Sequence, residues 1–143
     1  MSSKLRMVSW ILLTLVGALT VFGSLASMGV AYFQPDDQIG PIALSELTAE
    51  RPDVAIALQA RRGTAAAFGA GYGVLFLILT LVPYRRGDVW AWWALCFATI
   101  VVNGIILLRS PLLGTNLGLG AATIPVAVSI IALVLDVGRL KSA

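Results

Sequence analysis

The sequence predicts an all-α membrane protein with four transmembrane helices in an up-down-up-down bundle. Composition is the first reason: of 143 residues, 59% are hydrophobic and 12% charged, and the mean hydropathy is +0.93. Soluble domains carry roughly a quarter charged residues, so this balance is typical of membrane proteins. The second reason is that four apolar runs, each near the length that crosses a bilayer as a helix, have no charge in their middle. We therefore expect a single integral membrane domain, residues 1–143.

The predicted spans are residues 7–33, 63–84, 89–108 and 117–138. Helices are expected because a backbone in lipid must satisfy its own hydrogen bonds. The first run also has features of a signal peptide, namely a basic start at Lys4 and Arg6 and a small-residue stretch at Ser24-Leu25-Ala26. Its apolar stretch continues well past that point, so we interpret it as an uncleaved span.

Between the first two spans lies a polar loop, residues 34–62. It opens with PDDQIGP, which is turn chemistry, and continues with LSELTAE, which predicts a short helix. Ser45 is a suitable N-cap for that helix, and Glu46 is favourable near its N-terminus. Pro52 suits the first turn of a new helix, so the helix of the second span is expected to begin there, outside the membrane.

The remaining links, residues 84–88 and 110–116, are short, which predicts that successive helices are antiparallel neighbours. In that topology six Lys and Arg residues fall on the side of the two termini and four on the other. The positive-inside rule then places both termini in the cytoplasm and the polar loop outside it. The expected location is the cytoplasmic (inner) membrane of a cell, crossed several times.

The second link begins YRRGDVWAWWAL, where arginines adjoin three tryptophans. Indole and phenol rings favour the headgroup level of a bilayer, which predicts an interfacial belt. The alternative is a platform for a ligand, to which a cation–π contact would also be suited. Trp90 and Trp93 share a helix face at about 100° per residue while Trp92 does not, which favours the belt. The predicted belt consists of Trp10, Tyr84, Arg85, Arg86, Trp90, Trp92 and Trp93.

Small residues recur at four-residue spacing in the second span, at Ala65, Gly69 and Gly73, with a weaker pair at Gly23 and Ser27 in the first. Such a stripe lets another helix approach closely. We predict a helix-packing face, and favour contact within the bundle over contact with a separate subunit.

Two polar positions stand out within the spans. Asn103 is the one strongly polar side chain deep in a span, and it could anchor a ligand or make an interhelical hydrogen bond. We favour the hydrogen bond. Asp136 precedes Arg139 by three residues near the end of the fourth span. This spacing favours a helix ion pair at the interface over a proton-relay carboxylate.

Little in the sequence points to catalysis. Histidine is absent and Cys96 is the single cysteine, so the common ligands of haem and zinc are missing. No calcium-loop spacing or nucleophile motif occurs, and the net charge of +3 is too small to suggest nucleic acid. We expect a non-enzymatic protein with no catalytic residues, no cofactor and no metal.

The segments LSEL, RPDVA and YRRGDVWAWWAL together resemble a set of small uncharacterised four-helix bacterial integral membrane proteins. The resemblance covers most of the chain, and its most specific part is the YRRGxxWAWWAL-type turn. It implies a four-span bundle in a bacterial inner membrane and assigns no activity to any residue.

The function predicted from these observations is that of an accessory or structural subunit, packing against other membrane proteins, lipids or copies of itself. The alternative is a carrier or binder of an apolar small molecule, such as a lipid or quinone, with Asn103 as its polar anchor. A third hypothesis is a hydrolase or isomerase that uses loop carboxylates. The acidic residues of that loop are Asp36, Asp37, Glu46, Glu50 and Asp53.

Overall fold

A computed structural model describes residues 3–34, 38–39, 42–49, 51–114, 116 and 119–141. The described chain is almost entirely helical, as predicted. Its elements are α1 (Ser3–Phe33), β1 (Gln38–Ile39), β2 (Ile42–Ala43), α2 (Leu44–Thr48), α3 (Pro52–Leu79), a π-helical segment (Thr80–Tyr84), α4 (Val89–Leu107), α5 (Arg109–Leu113), α6 (Leu119–Leu135) and a 3-10 helix (Val137–Lys141).

Three of the described helical stretches are long and apolar enough to cross a membrane: Lys4–Phe33, Pro52–Tyr84 and Val89–Leu113. The fourth apolar helix, α6, is shorter than the predicted span 117–138. It has 17 residues and rises only about 26 Å. Several apolar helices of membrane-spanning character are thus present, in keeping with a location in a membrane.

The polar loop contains the short helix that the sequence predicts, α2. Its N-cap is Ala43, which makes no side-chain capping bond, so the expectation that Ser45 caps this helix is wrong. The loop also holds an antiparallel strand pair that was not predicted, in which Gln38 pairs with Ala43 and Ile39 with Ile42. Helix α3 begins at Pro52, where the sequence places it.

The predicted third link, residues 110–116, is wrong in its first half. Helix α5 occupies Arg109–Leu113 and ends at Gly114, which adopts a left-handed conformation with φ of 63°. Proline in the first turn of a helix removes no intrahelical hydrogen bond, so Pro111 does not prevent this helix from forming.

The chain divides into two compact units, the first comprising Met1–Ala18 and Leu75–Ala143 and the second Leu19–Val74. In the first unit the apolar core contains Leu13, Ala91, Leu95 and Ala132, each fully buried. This core includes side chains from α1, α4 and α6.

In the second unit, α1 and α3 approach closely at glycines of α3. A Cβ atom at Gly73 would lie 2.8 Å from Val21 Cγ2 and 3.0 Å from the Val21 backbone nitrogen, and one at Gly69 would lie 2.5 Å from Ser24 Oγ. Any larger side chain at Gly73 would therefore force the helices apart. Gly69 and Gly73 of the predicted stripe thus line a contact within the chain.

The other members of the predicted stripe lie differently. Ala65 is exposed, and a Cβ atom at Gly23 would meet nothing within 4 Å. Ser27 accepts a 3.3 Å hydrogen bond from Arg62 Nε. The four-residue spacing therefore identifies only part of the α1–α3 contact.

Candidate functional site: a buried polar cluster and an arginine groove

Four polar side chains come together inside the first unit. We call Ser9, Tyr84, Asp136 and Arg139 the polar cluster. Three of them are 0% exposed and Arg139 is 4% exposed. They come from α1, the π-helical segment, the turn after α6 and the 3-10 helix, so the cluster joins elements that are distant in sequence.

The π-helical segment positions Tyr84. Pro83 has no backbone N–H, and its ring in a regular α-helix would collide with the carbonyl of the residue four positions earlier. The helix widens instead, and the Arg85 N–H reaches the carbonyl of Thr80, five residues earlier. The Tyr84 carbonyl accepts from the Gly87 backbone N–H at 3.1 Å and also from the Arg139 side chain.

Arg139 makes three contacts in this cluster. Its Nη2 lies 2.5 Å from Asp136 Oδ2, its Nη1 donates to the Tyr84 carbonyl at 2.5 Å, and its guanidinium lies 4.0 Å from the centre of the Tyr84 ring. Asp136 has a second cationic neighbour, Arg6, whose Nε lies 3.8 Å from Oδ1. A carboxylate withdrawn from water needs such compensation, since an unpaired buried charge is strongly destabilising.

The hydroxyl groups of the cluster form a chain with a defined direction. Ser9 Oγ donates to the Ala132 carbonyl at 2.7 Å, and a serine hydroxyl has one proton to give. The 2.6 Å bond between Ser9 and Tyr84 is therefore donated by the tyrosine hydroxyl. The order of donation runs from Tyr84 through Ser9 to the end of α6.

These bonds cap the C-terminus of α6. The last carbonyls of an α-helix lack partners within the helix. Ser9 satisfies the carbonyl of Ala132, and Trp92 Nε1 donates to the carbonyl of Leu133 at 3.0 Å. Side chains of α1 and α4 thus form hydrogen bonds with the C-terminal end of α6. The polar cluster therefore has the chemistry of a structural contact between helices.

Asp136 and Arg139 form the ion pair that their spacing predicts. The structure differs from expectation in two respects: Asp136 lies in a turn after the helix, and both side chains are buried. The participation of Ser9 was not predicted. A serine among apolar residues is too common in membrane helices to signal a contact 75 positions away.

Next to Tyr84 along the chain lies a shallow, open groove of about 390 Å³ lined by Leu81, Val82, Arg85 and Arg86, which we call the arginine groove. The Arg85 guanidinium lies 5.0 Å from the centre of the Trp10 ring. Within the part of the chain that the structure describes, neither Arg85 nor Arg86 forms an ion pair with a carboxylate.

Two residues of the predicted belt are buried, four are exposed, and Trp10 is half-buried. Tyr84 and Trp92 are buried, and both form hydrogen bonds with other elements. Trp90 and Trp93, which share a helix face, are 58% and 45% exposed. Arg85 and Arg86 are also exposed. An interfacial role therefore remains a prediction for the exposed members, while Tyr84 and Trp92 pack inside the protein.

Asn103 makes a different hydrogen bond from the one favoured above. Its Nδ2 donates to the Thr99 carbonyl at 2.8 Å, within its own helix, so this bond is not an interhelical one. The hydroxyl of Thr99 is buried and has no hydrogen-bond partner among the described residues.

The loop carboxylates show no shared site where the structure describes them. Asp36, Asp37 and Glu50 lie outside the described residues. Glu46 is exposed, and Asp53 forms an exposed ion pair with Arg51 at 3.7 Å. Among the described residues no group of three His, Cys, Asp or Glu side chains is placed to hold a metal ion.

Comparison of the chain with protein-family models, curated proteins and solved structures gives no match.

Proposed function

We propose that the chain is a multi-pass protein of the cytoplasmic (inner) membrane with four spans and both termini in the cytoplasm. The three long apolar helices support this, as does the apolar character of α6. The fourth crossing would use α6 together with its flanking residues, since α6 alone is slightly short for roughly 30 Å of hydrocarbon.

We further propose that it serves as a non-enzymatic accessory or structural subunit. One observation carries this proposal: polar groups of the buried cluster bond one another and helix ends, whereas the outer faces of the helices are apolar and open. In the most apolar window of each long helix, only 17–22% of residues are buried. Such faces require lipid or other apolar helices to cover them.

Some of these open faces include glycine. A Cβ atom at Gly71 or Gly104 would meet nothing within 4 Å, so neither glycine is needed for packing within the described chain. Small residues on an outer face allow a second transmembrane helix to approach closely. These positions therefore favour a protein neighbour in addition to lipid.

The test is the size and content of the particle extracted from its own membrane in a polymer nanodisc. We expect a particle that contains a second polypeptide, either another subunit or another copy. Gly71→Leu should lower the fraction of the larger particle, whereas Val74→Leu, an exposed position on the same helix that already carries a large side chain, should not. A particle that contains a single polypeptide, with no second subunit or copy, contradicts the proposal.

A second candidate, a binder of an apolar small molecule such as a quinone, is favoured by the Thr99 hydroxyl. That buried group has no partner in the described chain and lies one turn from Asn103, so a ligand carbonyl would satisfy it. Asn103→Leu and Thr99→Val should each weaken binding of a ubiquinone analogue several-fold. Unchanged binding in both variants would remove this candidate.

A further inference from the structure

We propose that the arginine groove is a binding site for the headgroup of an anionic phospholipid. This inference rests on the proposed placement in a membrane, and it adds a ligand class to a surface that the accessory role leaves unassigned. The groove is lined by two apolar and two cationic side chains.

Charge is the first argument. Arg85 and Arg86 are adjacent, and within the described chain no carboxylate neutralises either of them. Other arginines of the chain do have carboxylate partners, as Arg139 does in the cluster and Arg51 does in the loop. Both side chains line the groove, and the planar forks of their guanidinium groups match the oxygens of a phosphate.

The Arg85 side chain is held in position before any ligand binds. The guanidinium of Arg85 lies over the Trp10 ring, and this cation–π contact holds the side chain without using its N–H donors. A side chain held in position loses less conformational entropy when a ligand binds. Arg85 can therefore contact the indole through its face and a phosphate through its edge.

The side chains along the groove follow an order from apolar to cationic. Leu81 and Val82 are 42% and 43% exposed, and they precede the arginines by about one helical turn. The membrane-spanning stretch Pro52–Tyr84 ends just before Arg85. The groove therefore changes from apolar to cationic at the depth where a phospholipid changes from acyl chain to phosphate. A free phosphate would leave the apolar half unused.

The proposed topology agrees with this ligand. It places Arg85 and Arg86 on the cytoplasmic side, where the membrane surface carries its negative potential because anionic lipids are present.

The experiment measures phospholipid retention by native mass spectrometry of the full chain. The protein is released from nanodiscs that contain phosphatidylcholine and phosphatidylglycerol in equal amounts. Wild type should retain phosphatidylglycerol in preference to phosphatidylcholine. The double variant Arg85→Gln/Arg86→Gln should reduce that preference on the order of tenfold, because each basic residue at the surface attracts anionic lipid. The matched control, Arg51→Gln/Arg61→Gln, removes two positive charges elsewhere and should retain the preference.

Two further arms separate the possible failures. Soluble glycerol phosphate at the same concentration should not displace the lipid; full displacement would mean that the groove binds a free anion and would overturn the proposal. Equal retention of the two lipids by wild type, or an unchanged preference in the arginine variant, would also overturn it. The subunit proposal is tested separately by the number of polypeptides in each particle, so a monomer that keeps the lipid preference contradicts that proposal alone.

Discussion

Tyr84 and Arg85 are adjacent in the chain and belong to two different environments. Tyr84 lies in the polar cluster, where its hydroxyl, carbonyl and ring all contact other residues of the chain. Arg85 lies in the arginine groove, where its one described partner is an indole ring. Residue type does not separate the two environments, since each contains arginine beside an aromatic ring.

The difference lies in whether the chain supplies an anion. In the cluster, the Asp136 carboxylate neutralises the Arg139 guanidinium, and both charged groups take part in contacts that hold helix ends together. In the groove no described carboxylate does this, so the charges remain available to the surroundings. The buried charges of the cluster therefore stabilise the fold, whereas the exposed charges of the groove face the surroundings of the protein.

The largest expected effect is that of removing the cluster's carboxylate. Asp136→Ala removes the carboxylate that neutralises the buried Arg139 guanidinium, and breaking a buried ion pair in this way costs about 3–5 kcal/mol. We expect that loss in the free energy of unfolding, measured by denaturant titration in detergent. Asp53→Ala removes a carboxylate from an exposed pair and should cost under about 1 kcal/mol.

The double variant Asp136→Leu/Arg139→Leu sharpens this comparison. It removes both charges, so it should be less destabilised than Asp136→Ala. If Asp136→Ala proves as stable as wild type, the polar cluster does not hold these helix ends together.

Next in size is the difference between inward and outward glycines of α3. Gly73→Ala places a methyl group against the backbone of Val21 and should cost about 1–3 kcal/mol. Gly71→Ala meets nothing and should be neutral, or stabilising by up to about 1 kcal/mol through helix propensity. Thermal unfolding of the two variants distinguishes the positions, and equal midpoints would contradict the α1–α3 contact.

A smaller loss is expected at Ser9. Ser9→Ala removes the group that caps α6 and accepts from Tyr84, which should cost about 1 kcal/mol. Thr14→Ala on the same helix removes a hydroxyl that bonds only to its own helix and should cost less. The same unfolding assay measures both, and a greater loss at Thr14 would argue against the hydroxyl chain.

The smallest expected effect on stability is at the groove. Arg85→Gln/Arg86→Gln should change the free energy of unfolding by no more than about 0.5 kcal/mol in phosphatidylcholine alone, because both side chains are exposed. A loss of unfolding free energy as large as that of Asp136→Ala would mean that Arg85 and Arg86 also stabilise the interior of the protein.

Much of the fold could be predicted because it follows from local pattern. Apolar runs and Pro52 are visible in the sequence, and the helices of α1, α3 and α4 follow from them. The extension of the third helical stretch to Leu113 was missed, because residues 110–116 were assigned to a link, although a first-turn proline such as Pro111 is compatible with a helix.

The polar cluster could be predicted only in part. The i to i+3 spacing of Asp136 and Arg139 indicates their pair, but Ser9 and Tyr84 join it through contacts between residues far apart in the chain. The position of Tyr84 depends on the π-helical segment, and Pro83 alone does not indicate whether a helix widens, kinks or ends there. The predicted position of Tyr84 and Trp92 at the membrane interface likewise did not indicate that both side chains are buried inside the protein.

The central claim is that the apolar helices cross a bilayer with the arginine groove at the cytoplasmic side. Single cysteines at Ala49 and Asp88, in a Cys96→Ser background, test it most directly through labelling of intact cells with a membrane-impermeant maleimide. We expect labelling at position 49 in intact cells and at position 88 only after the membrane is permeabilised. Labelling of both positions from outside, or release of the protein from membranes by alkaline carbonate, would contradict the claim.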